Sequence, residues 1–155
     1  DVVVTRSSNN YGPYQYPEKV IPLFATNLIE GKKVPLYGDG KNVRDWLWVK
    51  DAARGIVEIF ERGAAELYCM GARWERKNSE VIATICEAFS VDAERIADRP
   101  GHDLRYATNP ARMNGDLKGW RNPGESFEQL LSGTIEWYRR NEAWWRAAIE
   151  RGGRW

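Results

Sequence analysis

The chain is 155 residues long, 43% hydrophobic and 29% charged, which suits one globular domain. Twenty-three Lys and Arg against 22 Asp and Glu leave a net charge of +1, so no strong attraction to nucleic acid or anionic membranes is expected. No apolar run approaches the roughly 18 residues of a membrane span, no signal leader is read, and Cys69 and Cys86 stand apart, which points to a reducing, cytoplasmic setting.

In chain order, the β-branched run Val2-Val3-Val4-Thr5 predicts a strand buried on both faces, as in a parallel sheet. A chain opening on such a strand is expected to lack neighbours that precede it. Residues 7–16 turn polar and aromatic and predict a loop. Pro17 suits a first helical position, and Val20, Ile21, Phe24 and Leu28 carry a helical stripe that ends at Gly31. A short strand over residues 33–37 is closed by the turn Gly38-Asp39-Gly40, and residues 43–49 predict a further strand. Residues 51–61 predict a helix with Ile56, Val57 and Phe60 inward, stopped by Gly63, and residues 66–70 another strand. Val81, Ile82, Ile85, Cys86 and Phe89 fall on one helical face, with Asn78 as N-cap. Ser126 to Gln129 has capping-box spacing before Leu130, Leu131, Thr134 and Tyr138. The alternation of strands and helices predicts α/β.

Catalytic machinery is not legible. None of the 14 glycines forms a dinucleotide-binding loop of the G-x-G-x-x-G or G-x-x-G-x-x-G kind. The one Tyr-x-x-x-Lys match, Tyr37 to Lys41, encloses two glycines and an aspartate, which make a turn where stacking Tyr on Lys needs a helix. His102 is the only histidine, and nothing places a nucleophile beside it. With two separated cysteines it cannot complete a structural zinc site. What remains suits an anion attached to a polar ring. Asn9 and Asn10 supply amides at the end of the first strand, and Arg44 and Arg99 could grip a diphosphate, unless each pairs with its neighbouring aspartate. The eight tryptophans are read mainly as packing, with Trp144 and Trp145 as candidate cover for an apolar seam.

Residues 5–19, reading Thr-Arg-Ser-Ser-Asn-Asn-Tyr-Gly-Pro-Tyr-Gln-Tyr-Pro-Glu-Lys, closely resemble the signature of dTDP-glucose 4,6-dehydratases. So do Tyr37-Gly38-Asp39-Gly40, Asn42-Val43-Arg44-Asp45-Trp46 and Asp98-Arg99-Pro100-Gly101-His102-Asp103, in matching order. The resemblance implies a single partial domain over residues 1–155. It would be the C-terminal part of an extended short-chain dehydrogenase, with the last strands of the parallel sheet and the mixed α/β substrate-binding region. The N-terminal NAD-binding Rossmann portion would be absent. It further implies that Asn9 contacts the sugar nucleotide and Asn10 the nicotinamide side of NAD. Lys19 and Val20 would lie along the nucleotide, Pro35, Leu36 and Tyr37 beside the base, and Arg44 on the diphosphate. Asp98, Arg99, Pro100, Gly101 and His102 would close over the nucleotide end.

No catalytic residue is carried over, because the family's Tyr/Lys pair, acid/base carboxylates and glycine loop belong to its N-terminal portion. The isolated chain is therefore expected neither to catalyse nor to bind NAD. Departures fall at Trp74, where the family has a diphosphate-binding Asn, at Asn109 for an Asp, and at an inserted Lys118. Three readings follow: a dehydratase portion that needs its N-terminal half, a standalone dTDP-sugar-binding module, and a decayed fragment. Open strand edges predict self-association, so a homo-oligomer is expected.

Overall fold

A computed structural model of the chain describes residues 2–98, 101, 103–121 and 124–152. Its elements run β1 (Val4–Ser7), β2 (Asn9–Tyr11), α1 (Val20–Ile29), β3 (Pro35–Tyr37), β4 (Val43–Trp48), α2 (Val49–Arg62) and β5 (Leu67–Met70). There follow β6 (Glu75–Lys77), α3 (Asn78–Glu87), β7 (Glu94–Ile96), β8 (Arg105–Tyr106), α4 (Ala111–Asp116), α5 (Phe127–Arg140) and α6 (Glu142–Gly152). The fold is α/β, as the alternation predicts.

Among the described residues three small sheets organise the strands. β1 pairs with β5 in parallel, Val4 opposite Leu67 and Ser7 opposite Met70. β4 is the hub of the second sheet, parallel to β2 and to β8 and antiparallel to β6. β3 and β7 form a third, parallel pair. The main core lies between the β2–β4 strands and helices α1, α3 and α5, where Tyr11, Phe24, Trp46, Ile85 and Leu131 meet. A second core joins α2, β5 and α4 through Ala52, Ile59, Tyr68, Met70 and Trp120.

Local rules explain some of the helix boundaries. Ser126 caps α5: its hydroxyl accepts from the Gln129 backbone N–H at 3.2 Å, and the Gln129 side chain accepts from the Ser126 N–H at 2.8 Å. Gly63 ends α2, its N–H donating to the Ile59 carbonyl at 2.9 Å. In α3 the buried face is Val81, Ile82, Ile85 and Cys86, as predicted, although Lys77 takes the N-cap position and Phe89 packs from beyond the helix end. Among the described residues the tryptophans serve mainly as packing. Trp145 is fully buried, its indole N–H donating to the Tyr138 carbonyl at 2.9 Å, while Trp137 meets Tyr14 at a tilt and Trp144 meets it edge-on.

Four expectations are corrected. Residues 2–5 were read as a strand buried on both faces; the strand is Val4–Ser7, it pairs on one edge, and Val2 stands 82% exposed. The polar run at residues 7–16 contains β2, because the β4 edge offers Asn9, Asn10 and Tyr11 a ladder that outweighs their loop-like composition. Pro17 lies in a turn, and α1 starts at Val20. In α2 the inward residues are Asp51, Ala52, Gly55 and Ile59, while Ile56, Val57 and Phe60 face outward, Phe60 at 90% exposure. That helix is apolar on two sides, so hydrophobic periodicity alone cannot choose between them.

Candidate functional site

One cavity of about 280 Å³ gathers residues from the predicted set: Asn9 from β2, Val20 from α1, Leu36 and Tyr37 from β3, and Arg44 from β4. Glu18, Leu23, Phe24, Trp46, Asn78 and Ile82 complete its lining. The sequence reading missed these six. Leu23 and Phe24 follow Val20 at helical spacing, and that signal could have found them.

The topology explains the convergence. Parallel pairing sets Asn9 opposite Trp46 at the β2–β4 junction, beside the α1 face that carries Val20 and Phe24. The turn at Gly38 and Gly40, with φ of 57° and 66°, returns the chain after β3 so that Leu36 and Tyr37 border the cavity. The Tyr37-x-x-x-Lys41 segment is thus a turn and not a catalytic helix, and Lys41 pairs with Asp39 at 2.7 Å.

Arg44 is the cation of the site. Its guanidinium donates to the Val43 carbonyl at 2.7 Å and to the Asp103 carbonyl at 2.9 Å, and no carboxylate pairs with it among the described residues. Its neighbour Asp45 is spoken for elsewhere, accepting from the Trp74 backbone N–H at 2.9 Å. The other Asp45 carboxylate oxygen is buried without a hydrogen-bond partner among the described residues, and no ion pair joins Asp45 to Arg44 there. A guanidinium bonded only to neutral carbonyls keeps its charge for an incoming anion. The amides at the start of α3 cannot share that task. The Asn78 and Ser79 N–H groups already donate to the Asn42 and Gly40 carbonyls at 2.8 and 3.0 Å.

The remaining predicted residues sit apart from the cavity lining. Lys19 is exposed and pairs with Glu18 at 2.7 Å, and Pro35 lies in β3 without lining the cavity. The Asp98 side chain lies against the turn, where a Cβ added at Gly38 would come 2.7 Å from its Cγ. Gly101 is exposed, with φ of 82°. Arg99, Pro100 and His102 lie outside the described residues. Asn42 Nδ2 and Arg44 both donate to the Asp103 carbonyl, so the segment that follows them is anchored beside the cation.

Trp74 has a packing role. Its ring meets Phe127 edge-on at 6.3 Å and lies under the Arg121 guanidinium at 4.7 Å, and it does not line the cavity. Arg73 beside it is exposed, in a left-handed conformation with φ of 57°. The loop is held by a close approach at Gly71, where an added Cβ would lie 2.4 Å from Thr108 Oγ1 and 2.6 Å from Asp45 Oδ2. Among the described residues no group of three or more His, Cys, Asp or Glu could hold a metal.

For NAD the resemblance implies a single contact in this chain. Asn10 is the one predicted contact, and its side-chain oxygen accepts from the Ser7 hydroxyl at 3.1 Å. No glycine-rich loop stands ready for a pyrophosphate.

Comparison with known proteins agrees with this anatomy. Residues 1–71 match the model of the NAD dependent epimerase/dehydratase family. In solved structures the same fold recurs as the C-terminal half of extended short-chain dehydrogenases, and that is the class to which the chain belongs. Within it, the chain corresponds to the C-terminal half of the dTDP-glucose 4,6-dehydratase family. The relative from Actinoplanes is 48% identical over 149 residues, which is 94% of this chain and 46% of that protein. The Bacillus anthracis enzyme, solved with NAD, superposes with a TM-score of 0.85 at 47% identity, over 95% of this chain and 47% of its own. The Streptomyces venezuelae enzyme, solved with NAD and a dTDP ligand, gives 0.87 at 44% identity, over 96% and 47%. The chain thus spans a little under half the length of the relatives it matches.

Proposed function

We propose that this chain is the nucleotide-sugar-binding half of a dTDP-glucose 4,6-dehydratase, and that its cavity holds the nucleotide diphosphate end of the substrate. The observation that carries the reading is the meeting of Asn9, Val20, Leu36, Tyr37 and Arg44 at one cavity. Those residues are remote in sequence and come from four elements. Their chemistry is complementary to such a ligand. Tyr37 and the aliphatic Val20 and Leu36 suit the flat base, Asn9 offers a hydrogen-bonding amide to the sugar, and Arg44 suits the diphosphate. Lys19 and residues 98–102 would add contacts at the rim once ligand is bound.

Turnover of dTDP-glucose to dTDP-4-keto-6-deoxyglucose would belong to this chain assembled with an N-terminal NAD-binding half. The redox chemistry is the cofactor's, and the present residues bind and orient the sugar nucleotide.

Calorimetric titration of the chain with dTDP tests the reading. Micromolar binding is expected, and Arg44→Ala should weaken it about 10- to 100-fold, the loss of a charge-assisted hydrogen-bond pair. A folded chain that does not bind dTDP, or an Arg44→Ala variant that binds as well as the parent, would reject it.

A further inference from the structure

We propose that Gln15 is a positioning residue for the sugar end of the cavity: it fixes the Asn9–Asn10 backbone and is itself held by the α5–α6 helix pair. This role rests on the functional reading above and deepens it by naming what keeps the sugar-facing amide in place.

The need for such a residue comes from β2. That strand is three residues long and pairs with β4 alone among the described residues, so it is the edge of its sheet. Asn9 lines the cavity from β2, yet its side chain has no hydrogen-bond partner among the described residues. An amide without a partner of its own is only as well placed as the backbone that carries it.

Gln15 supplies the hold. Its Nε2 donates to the Asn10 carbonyl at 2.8 Å, reaching back across five residues. Asn10 is pinned a second time where its side-chain oxygen accepts from the Ser7 hydroxyl. The orientation of the Gln15 amide is set, because exchanging its oxygen and nitrogen would bring two acceptors face to face. Its Oε1 is then buried without a partner among the described residues. A buried acceptor left open weakens a fold, so stability alone is a poor reason for a glutamine at this position.

Gln15 is held in turn. Helices α5 and α6 grip three consecutive residues of the loop between β2 and α1. The Tyr14 ring packs against Trp137 and Trp144, with ring centroids 4.6 and 5.2 Å apart. Tyr14 has φ of 63°, a left-handed conformation that bulky residues keep only where their surroundings impose it. The Gln15 carbonyl accepts from the hydroxyl of Tyr138, which is fully buried. The Tyr16 hydroxyl donates to the Ala148 carbonyl at 3.2 Å. No residue of α5 or α6 lines the cavity, and this loop is their route to Asn9 and Asn10.

Two variants of the whole chain test this role. Gln15→Leu keeps the bulk and removes the donor, and Gln15→His returns a ring N–H at the same number of bonds from the backbone. The first readout needs no ligand. Backbone order parameters of Asn9, Asn10 and Tyr11, from nitrogen relaxation, should fall in Gln15→Leu from about 0.85 toward about 0.6. Those of Leu36 and Asn78 should stay unchanged, with the thermal midpoint moved by less than about 3 °C. Gln15→His should restore the order, and Tyr138→Phe should lower it in the same residues. The second readout is calorimetric. Gln15→Leu should weaken binding of dTDP-glucose about fivefold and leave dTDP within about twofold of the parent. Absence of dTDP binding in the parent rejects the nucleotide reading, whereas Gln15 is judged first on the order parameters. The proposal falls if Asn9 to Tyr11 stay as ordered in Gln15→Leu as in the parent, or if the whole chain loosens together. It falls equally if Gln15→Leu binds dTDP-glucose like the parent, or loses dTDP to the same extent.

Discussion

The two larger cores of this chain are built from similar residues and finished differently. Around the cavity, β2 and β4 are enclosed by α1, α3 and α5, and residues such as Tyr11, Ile85 and Leu131 are fully buried. Around β5 the enclosure stops partway: Ile59 and Met70 are buried, while Phe60 and Val4 on neighbouring positions face outward. The difference teaches that an apolar stripe states a need for cover without stating who provides it. Inside the first region this chain covers itself. In the second, the stripe faces outward.

The largest expected effect contrasts one leucine with one phenylalanine. Leu131→Ala should destabilise the chain by about 3 kcal/mol in denaturant titration, the usual result of a cavity in a closed core. Phe60→Ala, although it removes more apolar surface, should change the isolated chain by less than about 0.5 kcal/mol. A loss of several kcal/mol at Phe60 would show that α2 is packed on both sides and would erase the contrast.

Next in size is the α5 cap, which anchors the closed region. Ser126→Ala should lower stability by about 1 kcal/mol, read as a shift in thermal midpoint. Close to this is Tyr11, whose buried hydroxyl finds no hydrogen-bond partner among the described residues. Tyr11→Phe should raise stability by about 1 kcal/mol. Burial first, and then the charges of Glu128 and Asp51, push the Tyr11 phenol above its ordinary range. The folded form therefore resists ionisation, and stability is lost as pH rises past the unfolded value near 10. Tyr11→Phe should flatten that alkaline loss.

The smallest expected effect lies on the surface. Arg105 donates to Glu75 at 2.6 and 2.7 Å and holds its carboxyl below the usual carboxylate range. The pair contributes above the unfolded carboxylate value and is lost as pH falls through the depressed folded one. Glu75→Gln should make acid unfolding slightly shallower, an effect that salt should mask.

The sequence carried the α/β class, the strands read over residues 43–49 and 66–70 to within a residue at one end each, and the faces of α3 and α5, because each has a strong period or a capping signal. It did not carry β6, β7 or β8, which are two or three residues long and exist only because a neighbouring edge offers them hydrogen bonds. At the site, Asn9 and Arg44 were legible through their chemistry and Leu36 through resemblance. Trp46, Asn78 and Ile82 were not, since their approach to the cavity depends on how β4 and α3 pack. The same limit hid the packing role of Trp74, which a sequence match could only register as a missing amide.

The pairing of Val4 with Leu67 also sets a timetable. Parallel strands separated by about sixty residues must close a long loop before any ladder bond forms, which makes such pairings late events in folding. During synthesis β1 emerges before β5 and waits until β5 has left the ribosome. For that interval Val2, Val3 and Val4 are an unguarded β-prone segment, the kind that nucleates aggregation. Recombinant yield should therefore depend on growth temperature and chaperone supply more steeply than equilibrium stability alone would suggest.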